Sequence, residues 1–295
     1  MNASQQDPTA YEEESIGSDV VAVVVTYRRP DLVRETLEAI ANQTQPPRSV
    51  ILVDNDGDEQ LESLVKEGAV GIDIDYVSTE ENVGWSGGLA IGMTRALEAH
   101  GAEWLWLLDD DSPPSNEALR TASQAARSTT NVGAVSQRGG FVRRGRIRHD
   151  LRAGQVDELT PADFLLVDGA LVSRTAVERA GLPREDFFIM LEDVEYTVRI
   201  RDAGFDLYVR PADGSAHLYQ GSGRPWRGYY QSRNHLRIAI ERRSPTWLWG
   251  WVVREAGINA HHLVARRWSS IAFRGRGALD GLSNRMGKRV DPSAT

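Results

Sequence analysis

Short apolar runs alternate with amphipathic segments along the first part of the chain. The β-branched run over 20–25 is typical of a strand that is buried on both faces. After Pro30, apolar residues recur at helical spacing, which predicts an amphipathic helix. Further strands are predicted over 50–53, 72–77 and 104–108, with helices between them. This order predicts an α/β fold with a mostly parallel central sheet, right-handed crossovers and flanking helices.

Polar residues follow directly where three of these predicted strands end. They are Thr26-Tyr27-Arg28, Asp54-Asn55-Asp56 and Asp109-Asp110-Asp111. Because the carboxyl ends of parallel strands lie on one edge of a sheet, these side chains can converge on one ligand. A single polar strand end is usually a turn, whereas three on one edge indicate a binding site.

The triplet Asp109-Asp110-Asp111 is the strongest chemical signal in the chain. Adjacent carboxylates repel each other and are costly to bury without compensation. Ser112-Pro113-Pro114 prevents the strand from continuing past them. A divalent cation would offset the repulsion, and oxygen ligands favour Mg²⁺ or Mn²⁺. A solvated acidic turn is the alternative interpretation.

A second acidic group follows the apolar run over 187–191. Glu192 and Asp193 begin a predicted helix, and Glu195 lies two residues after Asp193. The helix dipole stabilises carboxylates at this end and favours an ionised base at neutral pH. Ordinary acidic residues of a first helical turn are the alternative.

Composition excludes several kinds of site. The chain of 295 residues is 41% hydrophobic and has no cysteine, so disulfides, thiolate metal sites and cysteine nucleophiles are excluded. Residues 1–19 are polar and acidic, which predicts a disordered leader and no signal peptide. We therefore expect a cytoplasmic protein.

Charge separates the C-terminal region from the rest. Residues 220–295 contain 14 Lys and Arg against 4 Asp and Glu, a net charge of +10, while the remainder carries −18. The stretch from Trp247 has apolar residues interrupted by arginines, so it is too broken to span a bilayer. It predicts a helix lying on an anionic membrane surface or one packed on the body. We expect residues 275–295 to form a loose basic tail.

The chain up to Asp111 resembles the inverting glycosyltransferases of family 2, which have the GT-A nucleotide-diphospho-sugar-binding fold. The matching motifs are Val25-Thr26-Tyr27-Arg28-Arg29-Pro30, Val53-Asp54-Asn55, Asn82-Val83-Gly84 with Gly87-Gly88, and the aspartate triplet. The resemblance implies a leader over 1–19, a catalytic domain over 20–219 and a basic helical region over 220–295. The donor half would span about 20–111 and the acceptor half about 112–219.

The resemblance also implies roles for individual residues. The implied donor-binding residues are Thr26, Tyr27, Arg28, Asp54, Asn82, Gly84, Asp109 and Asp110. Glycines 84, 87 and 88 would let the backbone approach the ligand closely. Asp109 and Asp111 would bind the metal, and some galactofuranosyltransferases have a histidine at the place of His217 that completes such a site. Imidazole would slightly favour Mn²⁺ over Mg²⁺.

On the acceptor side, the resemblance makes Asp193 the general base, with Glu192 as the second candidate. The implied acceptor contacts are Asp168, Gly169, Glu195, Tyr230 and Arg233. The last two lie in a segment similar to the Arg-Asn segment of enzymes that transfer galactofuranose or rhamnose, and Arg233 offers a fork for phosphate. The Arg-rich segment over 138–152 is either a solvated loop or a flap over the acceptor.

The function implied is inverting, metal-dependent transfer of a sugar to a lipid-linked cell-envelope glycan at the inner face of the plasma membrane. UDP-galactofuranose is the first choice of donor and dTDP-rhamnose the second, and nucleic acid is not an expected partner. A nucleotidyltransferase, or an inactive module that binds sugar or membrane, are the alternatives. Release of a nucleoside diphosphate rather than pyrophosphate would distinguish transfer of a sugar from transfer of a nucleotide.

Overall fold

The computed structural model of the chain describes residues 19–68, 70–152, 158–210 and 224–292. The predicted leader, apart from Asp19, and the predicted metal ligand His217 lie outside the described residues. The strands are β1 (Val20–Thr26), β2 (Ser49–Asp54), β3 (Ile74–Ser78), β4 (Trp104–Asp109), β5 (Val132–Ser136), β6 (Arg138–Arg143), β7 (Arg146–Arg152), β8 (Thr160–Pro161), β9 (Phe164–Leu165), β10 (Ala170–Ser173) and β11 (Asp206–Val209). The helices are α1 (Pro30–Ala41), α2 (Glu59–Lys66), α3 (Gly84–Glu98), α4 (Ala118–Arg127), α5 (Arg174–Ala180), α6 (Glu192–Asp202), α7 (Pro225–Glu241), α8 (Pro245–Val264) and α9 (Trp268–Leu282), with a 3-10 helix over Glu185–Phe187.

The central sheet has the strand order β3-β2-β1-β4-β10-β5-β11-β8. β1 is parallel to β2 and β4, β2 is parallel to β3, and β5 is parallel to β11. β10 runs antiparallel between β4 and β5. This topology confirms the predicted α/β fold with a mostly parallel sheet and flanking helices. The register pairs Val25 with Asp109, so β1 and β4 end at the same edge.

Strand β1 is buried on both faces because helices cover both sides of the sheet. Val21, Val23 and Val25 join one apolar cluster, whereas Val20 and Val24 join another. This alternation follows from the two-residue period of a strand. The first cluster includes Leu89 and Met93 of α3, and the second includes Leu37 and Ile40 of α1.

Helix α3 lies unusually close to β1 because it has glycine where it meets the strand. A Cβ atom on Gly88 would lie 2.5 Å from Val25 Cγ1, and one on Gly92 would lie 2.4 Å from Val23 Cγ1. Gly88 therefore allows the helix to pack closely on the sheet, and the close approach of a ligand that was expected here stays a prediction. Any side chain here must push the helix away from the strand.

The Arg-rich segment over 138–152 is not the solvated loop that is one interpretation of its sequence, and its other predicted role, as a flap over the acceptor, stays a prediction. It forms the hairpin β6–β7, and β6 also pairs with β9 in a second, three-stranded sheet. A hairpin with one solvated face accepts arginines at its outward positions. The many arginines therefore made the sequence of this segment look like a loop and not like two strands. The hairpin tip packs against α8, since a Cβ on Gly145 would lie 1.9 Å from the Thr246 carbonyl oxygen.

The C-terminal helices pack on one another and on the sheet domain. Tyr229 Oη of α7 donates a hydrogen bond of 2.7 Å to Asp280 of α9. Tyr230 Oη donates to the Val290 carbonyl oxygen at 2.8 Å. The expectation of a loose tail from residue 275 is therefore wrong, because α9 continues to Leu282 and Val290 is buried. Among the described residues, none of the helices is long and apolar enough to cross a bilayer.

We expect Gly92→Ala to destabilise the protein by about 1–3 kcal/mol, because its methyl group overlaps Val23 in the core. Gly257→Ala in α8 is the matched control, since the structure has nothing within 4 Å of its added Cβ. That control should be neutral or stabilising by up to about 1 kcal/mol, the usual difference between Ala and Gly in a helix. Urea unfolding measures both, and equal effects would contradict the close packing of α3.

Candidate active site

The aspartate triplet lies at the carboxyl edge of β4, beside the end of β1. One carboxylate oxygen from each of Asp109, Asp110 and Asp111 lies within 4.8 Å of the others. Thr26 Oγ1 donates to Asp110 Oδ2 at 2.8 Å. Arg29 Nη1 donates to Asp110 Oδ1 at 3.0 Å and to Asp111 Oδ2 at 2.8 Å. The parallel pairing of β1 with β4 thus brings these side chains together.

Asp168 belongs to the same acidic group, although the sequence placed it with the acceptor. It accepts a hydrogen bond of 3.1 Å from the backbone N–H of Asp109. The next residue, Gly169, has a φ of 76° and donates its N–H to the Leu107 carbonyl oxygen at 2.8 Å. This turn leads into β10, whose antiparallel pairing with β4 was not predicted. Asp168 therefore approaches the triplet through a strand pairing that sequence periodicity does not reveal.

Burial makes the charge of this group unfavourable. It raises the pKa of Asp109 well above the usual value, and the neighbours Asp110, Asp168 and Asp111 raise that pKa further. Burial also raises the pKa values of Asp110 and Asp111, while Arg29 opposes the shift. Arg29 thus compensates two of the carboxylates, and Asp109 is the least compensated of the three. A set of clustered carboxylate oxygens with surplus negative charge fits Mg²⁺ or Mn²⁺.

Arg29 is a site residue that the sequence motif contained but did not identify. Its neighbour Arg28 has a left-handed φ of 56°. The Arg28 guanidinium donates to Asp56 at 2.5 and 3.0 Å and lies 5.0 Å from the centre of the Tyr27 ring. Because the chain turns at Arg28, the side chains of Arg28 and Arg29 reach different acidic groups. Because the two arginines are adjacent, the sequence alone does not indicate which of them contacts the triplet.

Asp54 is completely buried at the end of β2. It accepts hydrogen bonds from the N–H groups of Asp56 at 3.1 Å and Asp58 at 2.7 Å, and from Tyr76 Oη at 2.8 Å. These contacts shape the loop that follows β2. In this structure Asp54 therefore stabilises the loop by accepting hydrogen bonds, and its predicted contact with the nucleotide stays a prediction.

Asn82 and Gly84 form the turn that starts α3. Gly84 has a φ of 78° and donates its N–H to Asn82 Oδ1 at 2.8 Å. Asn55 Nδ2 donates to the Gly84 carbonyl oxygen at 3.2 Å, which ties this turn to the end of β2. A Cβ on Gly84 would lie 2.3 Å from the Phe188 carbonyl oxygen. The close approach at Gly84 is thus with the segment that precedes Glu192 and Asp193.

Glu192 and Asp193 begin α6 in a largely buried setting. Within the described residues, Glu192 Oε2 has no hydrogen-bond partner. Burial and the neighbouring Asp193 raise the pKa of Glu192 to about 8. Burial raises the pKa of Asp193 to about 6, against the lowering effects of the Val194 N–H and Arg138. At Glu192 the loss of hydration thus outweighs any stabilisation of the charged form by the helix dipole, and the predicted ionised base at this helix start stays a prediction.

The other predicted acceptor contacts are engaged inside the protein. Glu195 accepts from Arg199 Nε at 2.9 Å, and Arg199 Nη2 also donates to the Leu182 carbonyl oxygen at 2.9 Å. Tyr230 and Arg233 are fully buried. Arg233 donates to the carbonyl oxygens of Phe187 at 2.8 Å and Gly287 at 2.6 Å. The structure gives these three residues internal contacts, and their predicted contact with an acceptor stays a prediction.

Known proteins are similar to this chain in sequence and in fold. The family model described as "Glycosyltransferase like family 2" matches residues 18–234. Galactofuranosyltransferase GlfT1 of Mycolicibacterium smegmatis is 34% identical over 202 residues, which cover 63% of this chain and 66% of that protein. GlfT1 of Mycobacterium tuberculosis H37Rv is 30% identical over 286 residues, covering 79% of this chain and 93% of that protein.

Two solved structures are similar in fold at low sequence identity. The mannosyltransferase PcManGT of Pyrobaculum calidifontis, in complex with GDP-Man and Mn²⁺, has a TM-score of 0.58 and 17% identity, covering 92% of this chain and 89% of that one. S. aureus TarS in complex with UDP has a TM-score of 0.57 and 16% identity, covering 76% of this chain and 65% of that one. The edge of β1 and β4, the aspartate cluster and the family match together lead to one conclusion: this chain is a glycosyltransferase of the family 2-like group, with the GT-A fold.

Proposed function

We propose that this glycosyltransferase inverts the configuration of a sugar that it moves from a nucleotide donor to a glycan hydroxyl, with a divalent metal. The observation that carries the proposal is the buried carboxylate cluster at the edge of β1 and β4. It combines Asp109, Asp110 and Asp111 with Thr26 and Arg29 at hydrogen-bond distance. Such a cluster suits a metal bound to diphosphate, which accumulates negative charge as the glycosidic bond breaks.

UDP-galactofuranose is the donor that we propose, with dTDP-rhamnose as the second choice. The support is the name of the relatives, which are galactofuranosyltransferases at 30–34% identity. We propose a lipid-linked glycan of the cell envelope as the acceptor. The nucleotide would be held by the ends of β1 and β2 and the Asn82–Gly84 turn.

Asp109 and Asp111 would hold Mn²⁺ or Mg²⁺, with His217 as a further ligand. The metal would stabilise the departing diphosphate as a Lewis acid. Asp110 accepts from Thr26 and Arg29, so it would orient the cluster. Arg29 would remain beside the diphosphate as a second positive charge.

Asp193 is the proposed general base, and its neighbour makes that assignment specific. With pKa values of about 6 and about 8, Asp193 is mainly ionised and Glu192 mainly protonated near pH 7. Asp193 would accept the proton of the acceptor hydroxyl while that oxygen attacks the anomeric carbon and displaces the nucleoside diphosphate. Attack from the opposite side inverts the anomeric centre.

The C-terminal helices would dock this enzyme on an anionic membrane. Their large exposed apolar residues are Leu248, Trp249, Val252, Leu263, Val264, Trp268, Leu279 and Leu282. Glu255, the single acidic residue of α8, is buried and paired with Arg274 at 2.8 Å. Exposed Arg266 and Arg267 join α8 to α9. Exposed Trp and Leu beside arginines suit the interface of an anionic bilayer, at the inner face of the plasma membrane.

Removal of the metal, or of a ligand, tests the cluster. We expect EDTA to abolish release of UDP from UDP-galactofuranose, and Asp111→Ala to lower it by at least about 100-fold, the effect of a few kcal/mol. Calorimetry should show that the variant binds UDP more weakly in Mn²⁺. Asp202→Asn, which removes a surface carboxylate paired with Arg242, is the control and should behave as wild type. Full wild-type activity in EDTA would contradict metal dependence.

Paired substitutions test the two acids. Asp193→Asn should lower kcat by at least about 100-fold, the usual effect of losing a general base, with UDP affinity retained. Glu192→Gln should keep most activity, because an amide imitates the protonated acid. In wild type, kcat should rise as pH passes through about 6, since Asp193 is protonated below its raised pKa and cannot accept a proton. The opposite ranking of the two variants would move the base to Glu192.

Vesicle sedimentation tests the docking surface. Wild type should bind phosphatidylglycerol vesicles at low salt and leave them at high salt, and it should not bind phosphatidylcholine. Arg266→Glu with Arg267→Glu should weaken binding at least about 30-fold, at about 1 kcal/mol per basic residue. Arg34→Glu with Arg127→Glu makes the same change of net charge on the sheet domain and should bind nearly as wild type. Equal binding to both lipids would contradict an electrostatic docking surface.

A further inference from the structure

The segment that leads into Glu192 is a strained turn of non-glycine residues. Phe188 has φ 66° and ψ −65°, and the Ile189 N–H donates to the Phe187 carbonyl oxygen at 2.8 Å. These values define a γ-turn of the rare form with positive φ. Met190 and Leu191 follow with φ values of 72° and 64°. Three residues in or near the left-handed region persist only where surrounding contacts determine their conformation.

Helix α7 supplies many of those contacts from two adjacent side chains that are fully buried. Asn234 Nδ2 lies 3.1 Å from the carbonyl oxygen of Phe187, 3.0 Å from that of Ile189 and 2.7 Å from that of Met190. Arg233 Nη2 donates to the same Phe187 oxygen at 2.8 Å. Arg233 Nε donates to Asn234 Oδ1 at 2.9 Å, which orients the amide with its N–H groups towards the turn. Buried carbonyl groups need such partners, and here side chains supply them.

The opposite side of the turn touches the start of α3. The Ser86 N–H donates to the Phe188 carbonyl oxygen at 3.2 Å, and Ser86 Oγ donates to the Arg184 carbonyl oxygen at 2.7 Å. The absence of a side chain on Gly84 allows the same Phe188 oxygen to approach. The turn is therefore fixed between the Asn82–Gly84 turn and α7. Its last residue, Leu191, precedes Glu192 directly, so the orientation of the turn sets where α6 begins.

We propose that Arg233 and Asn234 are positioning residues for the acids of α6. Their N–H groups maintain the strained turn over 187–191 and thereby fix the position of Asp193 relative to the donor side of the site. The inference rests on the proposed role of Asp193 as the base. A small displacement of a general base from hydrogen-bond distance lowers the rate of the step that it assists, because proton transfer depends on hydrogen-bond geometry. The Arg-Asn pair thus acts through the backbone of the turn and not by touching the acceptor.

Asn234→Leu tests the proposal, since it keeps the shape of the side chain and removes both N–H donors. We expect kcat for UDP release from UDP-galactofuranose in Mn²⁺ to fall between about ten- and a hundredfold. KM for the donor and the affinity for UDP should change little. The rise of kcat with pH should move away from its wild-type position, because the surroundings of Asp193 change. Asn234→Gln, which retains the donors on a longer arm, should recover part of kcat.

Tyr229→Phe is the matched control on the same helix. It removes a buried hydrogen bond to Asp280 of α9 and an interaction of the hydroxyl with Arg233, so it lowers stability while leaving the N–H donors of Asn234 in place. It should retain wild-type kcat and pH dependence. A loss of kcat in Tyr229→Phe equal to that in Asn234→Leu would overturn the proposal, since general loosening of the helices would then explain both. Unchanged kcat and pH dependence in both Asn234 variants would overturn it equally.

Hydrogen exchange separates this inference from the proposed function. The amides of Ile189 and Glu195 donate to Phe187 and Leu191 in wild type, and they should exchange faster in Asn234→Leu with or without activity. If wild type releases no UDP from any nucleotide sugar, the proposed function fails while faster exchange still shows that Asn234 maintains the turn. Active wild type with unchanged exchange in Asn234→Leu would overturn the positioning role alone.

Discussion

Negative charge that is buried against its own repulsion is the constraint on which the site depends. The sheet places Asp109, Asp110 and Asp111 where water cannot fully solvate them, and burial raises the pKa of each. Thr26 at the end of the neighbouring strand, and Arg29 just after it, donate hydrogen bonds to these carboxylates. Since β1 and β4 pair in parallel, this compensation comes from the sheet topology itself. The negative charge that remains uncompensated is centred on Asp109, and a bound cation would neutralise it.

The aspartate triplet and the Glu192–Asp193 pair are both buried negative charge, and each is compensated in a different way. The triplet pairs with Arg29, and its carboxylate oxygens are close enough together to bind a cation. Positive charge can therefore offset the repulsion among these carboxylates. At Glu192, burial and the charge of Asp193 outweigh a backbone hydrogen bond and the charge of Arg227, so the pKa rises to about 8 and protonation removes the buried charge. Asp193, with the Val194 N–H and Arg138 nearby, titrates lower. Adjacent carboxylates with separated pKa values are the arrangement in which one acid can serve as a base.

The sequence predicted what is local and missed what depends on distant pairing. The apolar period located β1, β2 and β4 and the polar ends that follow them, because burial on both faces has a direct sequence signature. It missed that β10 enters the sheet antiparallel, and with it the position of Asp168 beside Asp109. The burial of Arg233 was equally hidden, since arginine is usually exposed and the backbone carbonyls that accept from it lie far along the chain.

Gly84 and the Arg-Asn pair contact the same turn at adjacent carbonyl groups, Gly84 at Phe188 and the pair at Phe187. Gly84 lies against the Phe188 carbonyl oxygen because it has no side chain, so the Asn82–Gly84 turn contacts the segment that leads into Glu192 and Asp193. Asn234 restrains the same turn from the C-terminal helices. A change in the Asn82–Gly84 turn would therefore press on the residues before Glu192 through atoms already in contact. Packed contacts of this kind transmit displacement because interiors are nearly incompressible. The fold consequently links the Asn82–Gly84 turn to the acids at the start of α6 by steric contact.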